Sequence, residues 1–211
     1  MNNDLKAIIN SNEKILWEGK PNKKCFIFES IFNPLLPFAL IWGLLDFTII
    51  SKMFFVHSTI EEVGIGTNML SFIIPFFLLH LMPVWIYIAG ALLSWKRYKN
   101  TYYIITDKAI YVSGGIITKT INTKPFAEMS HIDLHRGFFD QQFNVGDVIC
   151  TSNNMMPGNV SAAITISSIS NYAEIYNMVK KLQQDIYSDI MYPNDQRPKE
   201  NHGYNPEYKG F

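Results

Sequence analysis

The 211 residues carry 18 Lys and Arg against 18 Asp and Glu, with 17% charged and 48% hydrophobic side chains. A chain with no net charge and no basic stripe is not built to bind nucleic acid, and two cysteines without a CxxC spacing argue against a disulfide scaffold or a zinc knuckle. The averages conceal two unlike parts, because residues 31–95 are almost wholly apolar and most of the charge falls at 96–211.

In chain order, Leu5, Ile8, Ile9, Ile15 and Leu16 have loosely helical spacing, which predicts a short interfacial helix followed by an extended Lys14 to Lys20 segment. Gly19-Lys20-Pro21 ends any helix there. Residues 1–30 include Asp4, Glu13, Glu18 and Glu29, and the first apolar run starts too late and is too long for the core of a cleavable signal. That segment is therefore expected to be a cytoplasmic N-terminal extension.

Two apolar stretches follow, at about Pro34 to Val56 and Met69 to Trp95. Each exceeds the roughly 18 residues that cross a bilayer core as a helix, so residues 31–95 are predicted to form a transmembrane hairpin. Lys20, Lys23 and Lys24 precede the first stretch, Lys96, Arg97 and Lys99 follow the second, and the connector at 57–68 has Glu61 and Glu62 but no Lys or Arg. Positive flanks favour the cytoplasm, which puts both termini inside and the connector outside. Lys52 opposes the trend but can snorkel to the outer interface. Pro34 and Pro37 fall in the first turn of their helix, whereas Pro75 and Pro83 are expected to kink theirs.

Each stretch holds one ionisable residue near its middle, Asp46 and His80. An ionisable group in hydrocarbon is costly and usually faces a partner. Asp46 lies 12 residues after Pro34 and His80 lies 14 before Ser94. At the rise of an α-helix the two differ in depth by about 3 Å, so an antiparallel hairpin can bring them together. They form a candidate intramembrane polar pair, serving as structural glue, as a subunit contact or as part of an ion or proton path.

Beyond residue 96 the pattern changes to short β-branched and aromatic runs. Tyr102 to Thr106 and Ala109 to Ser113 flank the turn formers Asp107 and Lys108, and Gly114-Gly115 starts the next reversal before Ile116 to Asn122. Further strands are expected at Phe126 to Leu134, Phe138 to Phe143, Val145 to Thr151 and Ala162 to Ser167, with a Pro- and Gly-containing loop at Asn153 to Asn159. Asn171 and Glu174 can cap a final helix whose apolar face is Tyr172, Ile175, Val179, Leu182 and Ile186. From 188 to 211 prolines, glycines and polar residues predict a disordered tail. Cys25 and Cys150 are expected on the reducing side of the membrane as free thiols.

The Glu13 to Pro21 lead, the Tyr102 to Ile110 run, the Gly114-Gly115 turn, Ile132 to Gly137, Phe143 to Val148 and Ile169-Ser170-Asn171 together resemble the bacterial pleckstrin-homology (PH) family of small membrane-anchored proteins. The resemblance implies an α+β membrane protein: a two-helix transmembrane hairpin, then at 96–187 a cytoplasmic PH-like antiparallel barrel or sandwich of seven strands under a C-terminal helix. It implies an interaction or membrane-associated role. The dispersed Lys108, Lys119 and Lys124 do not reproduce the basic cluster with which familiar PH domains hold inositol phosphates.

His131, Asp133 and His135 alternate along an expected strand and share one face, a spacing that can hold a metal. Without a fourth ligand, and with Arg136 adjacent, they read as a solvated face with Ile132 and Leu134 turned inward. No phosphate loop, nucleophile elbow or carboxylate pair marks an enzyme, so no catalytic residue, cofactor or metal is assigned. The sequence therefore points to a noncatalytic module that presents a PH-like domain at the cytoplasmic face, with membrane lipids and a protein partner or a second copy as its partners. In the alternative, the chain is one subunit of a small oligomeric transport or channel-like assembly using Asp46 and His80.

Overall fold

A computed structural model describes residues 3–60, 68–152 and 163–191. The expected connector residues Glu61 and Glu62, the loop at 153–159 and the chain beyond 191 lie outside them. Two compact units result, one from Met1–Phe26 with Lys96–Phe211 and one from Ile27–Trp95.

The first unit is a pair of antiparallel sheets. Strands β1 (Ile15–Gly19), β2 (Tyr102–Thr106), β3 (Ala109–Gly114) and β4 (Thr120–Pro125) lie in that order in one sheet, and β5 (His131–His135), β6 (Gly146–Thr151) and β7 (Ile164–Ile169) in the other. The extended lead is thus a strand: β1 pairs with β2 through Trp17↔Ile105 and Gly19↔Tyr103, with a bulge between Ile15 and Trp17. Asp107 and Lys108 make the two-residue turn between β2 and β3.

Three strand expectations are corrected. The strand expected at Ile116 to Asn122 begins only at Thr120, because residues 116–118 bend round the hairpin tip, and it runs on to Pro125. Phe126 to Leu134 is not continuous: a 3₁₀ turn at Phe126–Glu128 stops the run, and β5 begins at His131. The Pro125 ring fixes φ at −64° and sends the chain out of the first sheet. Phe138 to Phe143 is helix α6, not a strand, because the Asp140 carboxylate accepts the Gly137 N–H at 2.8 Å and starts a helical turn that Asn144 ends with φ 51°. Among the described residues no ladder joins the two sheets, so the unit is a sandwich rather than a closed barrel.

The sandwich has two apolar layers. Between the sheets and under the closing helix α7 (Tyr172–Met191) lie Tyr103, Ile105, Phe126, Val148, Ile166, Ile175 and Val179, all buried. On the outer face of the first sheet Ile104, Ala109 and Tyr111 are covered by Leu5 of helix α1 (Asn3–Ile8), which is fully buried. The helix expected to be interfacial is therefore packed on protein. This explains why β2 is an unbroken apolar run: a strand covered on both faces loses its alternation.

The second unit is helical, drawing on α2 (Lys23–Ile31), α3 (Leu35–Ile60), α4 (Asn68–His80) and α5 (Met82–Asn100). Asn33 accepts the Leu35 N–H at 2.8 Å and caps α3. Within α3, Leu35–Met53 is long and apolar enough to cross a membrane, and α4 and α5 pass the same test together but bend by 53°. The bend falls at Leu81, before Pro83, whose missing N–H leaves the ladder incomplete. Val84 N–H turns to the Leu81 carbonyl instead, which frees the carbonyl of His80. Pro75 is carried inside α4.

Candidate functional site

Asp46 on α3 and His80 at the end of α4 meet, with His80 Nδ1 2.8 Å from Asp46 Oδ1. Asp46 is only 1% exposed, whereas the His80 side chain is 38% exposed. An aromatic box completes the site. Trp42 stacks on the imidazole at 5.1 Å between centroids, Phe76 stacks at 5.4 Å, and Phe77 meets the ring edge-on at 6.5 Å. The freed His80 carbonyl accepts the Trp42 Nε1–H at 2.8 Å, so the proline-induced break is satisfied by the same tryptophan. Among the described residues, Asp46 Oδ2 is buried without a hydrogen-bond partner.

The contact needs one hydrogen, which Nδ1 supplies when it is the donor and the Asp46 carboxylate oxygen accepts. The imidazole also gains ring-stacking contact from Trp42 and Phe76. The site therefore joins α3 to α4 through one polar contact and a stack of rings. Trp42 and Phe76 escaped the sequence reading, although each sits four residues before its polar partner. That spacing puts Trp42 beside Asp46 and Phe76 beside His80 on one helical face.

The polar residues of the first unit are engaged in holding it together. Glu13 Oε2 accepts both the Thr106 and Tyr111 hydroxyls at 2.9 Å, and Asp107 accepts the Lys14 N–H at 2.9 Å, so the lead is latched to the β2–β3 turn. Burial and the Glu13 carboxylate push the Tyr111 hydroxyl up to about 12. Asp140, 1% exposed, accepts from the Cys25 thiol at 3.4 Å and from Gly137 N–H. Arg136 donates from Nε to the Val145 carbonyl at 2.8 Å and lies over the Tyr172 ring at 4.5 Å. Asp147 accepts the Ser168 N–H at 2.6 Å; burial raises its carboxyl pKa, and that hydrogen bond opposes the rise. The Tyr103 hydroxyl accepts the Ser167 N–H at 3.1 Å and ties one sheet to the other.

His131, Asp133 and His135 all point to solvent from β5, and their ligand atoms do not converge on one another. Leu134, expected inside, is 40% exposed. Cys25 and Cys150 are buried and lie outside any disulfide, and burial pushes the Cys150 thiol up to about 12.

Two antiparallel sheets over a shared core, with a C-terminal helix packed on the second sheet, define a PH-like sandwich. A family profile described as the bacterial PH domain matches residues 54–183, more than half of the chain, and the chain belongs to that family. Comparisons with curated proteins and with solved structures returned no match.

Proposed function

We propose that this chain is a noncatalytic, membrane-anchored interaction module, in which the helical unit crosses the cytoplasmic membrane twice and presents the PH-like unit at the inner face. The observation that supports this best is the inverted polarity of the helical unit. Along Leu35–Met53 mean hydropathy is 1.6 with only 11% of the segment buried, and Ile41, Leu44 and Phe47 are each more than 60% exposed. The carboxylate of Asp46 is by contrast turned inward at 1% exposure. Water would make that surface prohibitive, whereas lipid is its natural solvent. The α4–α5 pair supplies the return crossing, bent at Leu81.

Anchoring turns weak affinity into effective binding by raising local concentration, so the PH-like unit needs no deep ligand pocket to act on lipids or membrane partners. Its polar motif residues support this reading, since Glu13, Arg136, Asp140 and Asp147 are each committed to fold-holding contacts. Retention of the full chain in the membrane pellet after alkaline carbonate washing is the expected result. Release into the supernatant would overturn the proposal.

One observation favours a second reading. Asp46 Oδ2, which has no partner among the described residues, offers an acceptor position beside a histidine, which suits a proton or cation path in an oligomeric assembly. Two crossings cannot enclose a pore, so a strictly monomeric chain in nanodiscs, measured by mass photometry, would eliminate it.

A further inference from the structure

We infer that the tip of the β3–β4 hairpin, residues Gly115 to Lys119, is a lipid-contacting element of the PH-like unit that inserts Ile117 into the surface of the bilayer holding the helical unit. Ile117 is 92% exposed, the most exposed of the large apolar side chains described. Its neighbour Ile116 is only half-buried.

The strand registers say which end of the sheet this tip occupies. Gly19 of β1 pairs with Tyr103, Tyr102 pairs with Ser113, and Gly114 pairs with Thr120. The end of β1, the start of β2 and the β3–β4 tip therefore share one end of the sheet. The chain leaves this unit after Phe26 and returns at Lys96, and both crossing points belong to the same end. The Phe26 and Tyr98 rings lie 6.1 Å apart, and Arg97 sits 5.6 Å over Phe26. Two hydrogen bonds fasten the hairpin to the returning chain: Asn100 Nδ2 donates to the Gly115 carbonyl at 3.0 Å, and the Ser113 hydroxyl donates to the Asn100 carbonyl at 2.9 Å. Gly115 makes the tight turn possible, with φ +113° and a Thr118 carbonyl oxygen where a Cβ would stand.

Charge agrees with a lipid partner. Lys96, Arg97 and Lys99 lie in the last turns of α5, just before β2, and Lys119 lies on the tip itself. Basic residues just inside a membrane crossing attract anionic headgroups, and an exposed apolar side chain among them adds burial in the interface.

This inference rests on the proposed anchoring, and the test separates the two. Ile117→Cys, Leu44→Cys and Lys108→Cys are labelled singly with an environment-sensitive fluorophore in the full chain, in phosphatidylethanolamine–phosphatidylglycerol nanodiscs. Native Cys25 and Cys150 are buried and do not compete. Position 44 lies on the apolar face of α3, and Lys108 occupies the β2–β3 turn at the opposite end of the sheet. The expected result is that labels at 117 and 44 are quenched by nitroxide lipids and shielded from aqueous iodide, while the label at 108 behaves the other way. To exclude an effect of the label itself, the unlabelled chain should show selective broadening of the Ile117 methyl resonance by nitroxide lipid. If 117 follows 108 while 44 follows lipid, hairpin insertion is wrong and the anchor stands. If 44 is open to iodide, the anchor is wrong and the insertion falls with it.

Discussion

Replacing His80 with phenylalanine should damage the helical unit more than replacing its partner Asp46 with valine. Both changes lose the 2.8 Å contact, and polar contacts between membrane helices contribute about 0.6 kcal/mol on average and about 1.7 at most. The aftermath differs. His80→Phe keeps a ring between Trp42 and Phe76 but strands a carboxylate that is 1% exposed and has no other partner at Oδ2 among the described residues. An unsatisfied buried polar group adds about 1–3 kcal/mol, more when charged. Asp46→Val removes the group that needed satisfying and leaves a histidine that is 38% exposed at its side chain. His80→Phe should therefore exceed Asp46→Val by about 1–3 kcal/mol, and the double variant should be less destabilised than His80→Phe alone. The assay is SDS-driven unfolding of the full chain in bicelles, followed by near-ultraviolet circular dichroism. Equal costs, or a larger cost for Asp46→Val, would refute the claim that burial of the carboxylate dominates the pair.

Leu5→Ala should destabilise the PH-like unit by about 2–5 kcal/mol, because Leu5 is fully buried against Ile104, Ala109 and Tyr111; a change below about 0.5 kcal/mol in chemical denaturation would mean that α1 does not cover the sheet. At pH 8, maleimide should leave Cys150 unmodified in the folded chain and modify it on unfolding, since burial holds its thiol near 12; mass spectrometry showing fast native modification would contradict this. Asp147 has a raised folded pKa, so the folded state binds its proton more tightly and stability falls as pH rises from the unfolded pKa through the folded one. Asp147→Asn keeps an acceptor for the Ser168 N–H and should abolish that decline. An unchanged pH profile in thermal unfolding would show that the group does not ionise at a cost.

The legible parts of the fold were those written locally. The β2–β3 hairpin declared itself through Tyr102 to Thr106, the Asp107-Lys108 turn and Ala109 to Ser113, and α7 through Asn171, Glu174 and a regular apolar face. Less legible was anything decided at long range. The Lys14 to Asp107 bond joins residues 93 apart, and no local pattern reveals that β1 borrows its partner from beyond the helical unit. Aromatic Phe138, Phe139 and Phe143 suggested a strand, but the Asp140 contact to Gly137 N–H decided for a helix. Asp46 and His80 stood out because ionisable residues are rare in apolar runs, and counting residues from the flanks gave them similar depths. The aromatic box around them was less visible, since Trp42, Phe76 and Phe77 are unremarkable in a stretch that is aromatic throughout. Leu134 and Ile117 departed from simple alternation by facing solvent, and only the second has a reason on its side in the end of the sheet it occupies.

The central claim is that the chain crosses the membrane twice and returns its PH-like unit to the side it started from. Single cysteines at Lys24, Glu61 and Lys180, probed with a membrane-impermeant maleimide in sealed vesicles of each orientation, test it directly. Lys24 and Lys180 are exposed on α2 and α7 respectively. Positions 24 and 180 should be labelled only in inside-out vesicles, and position 61 only in right-side-out ones. Labelling of all three from the same side, or of 24 and 180 from opposite sides, would contradict the account.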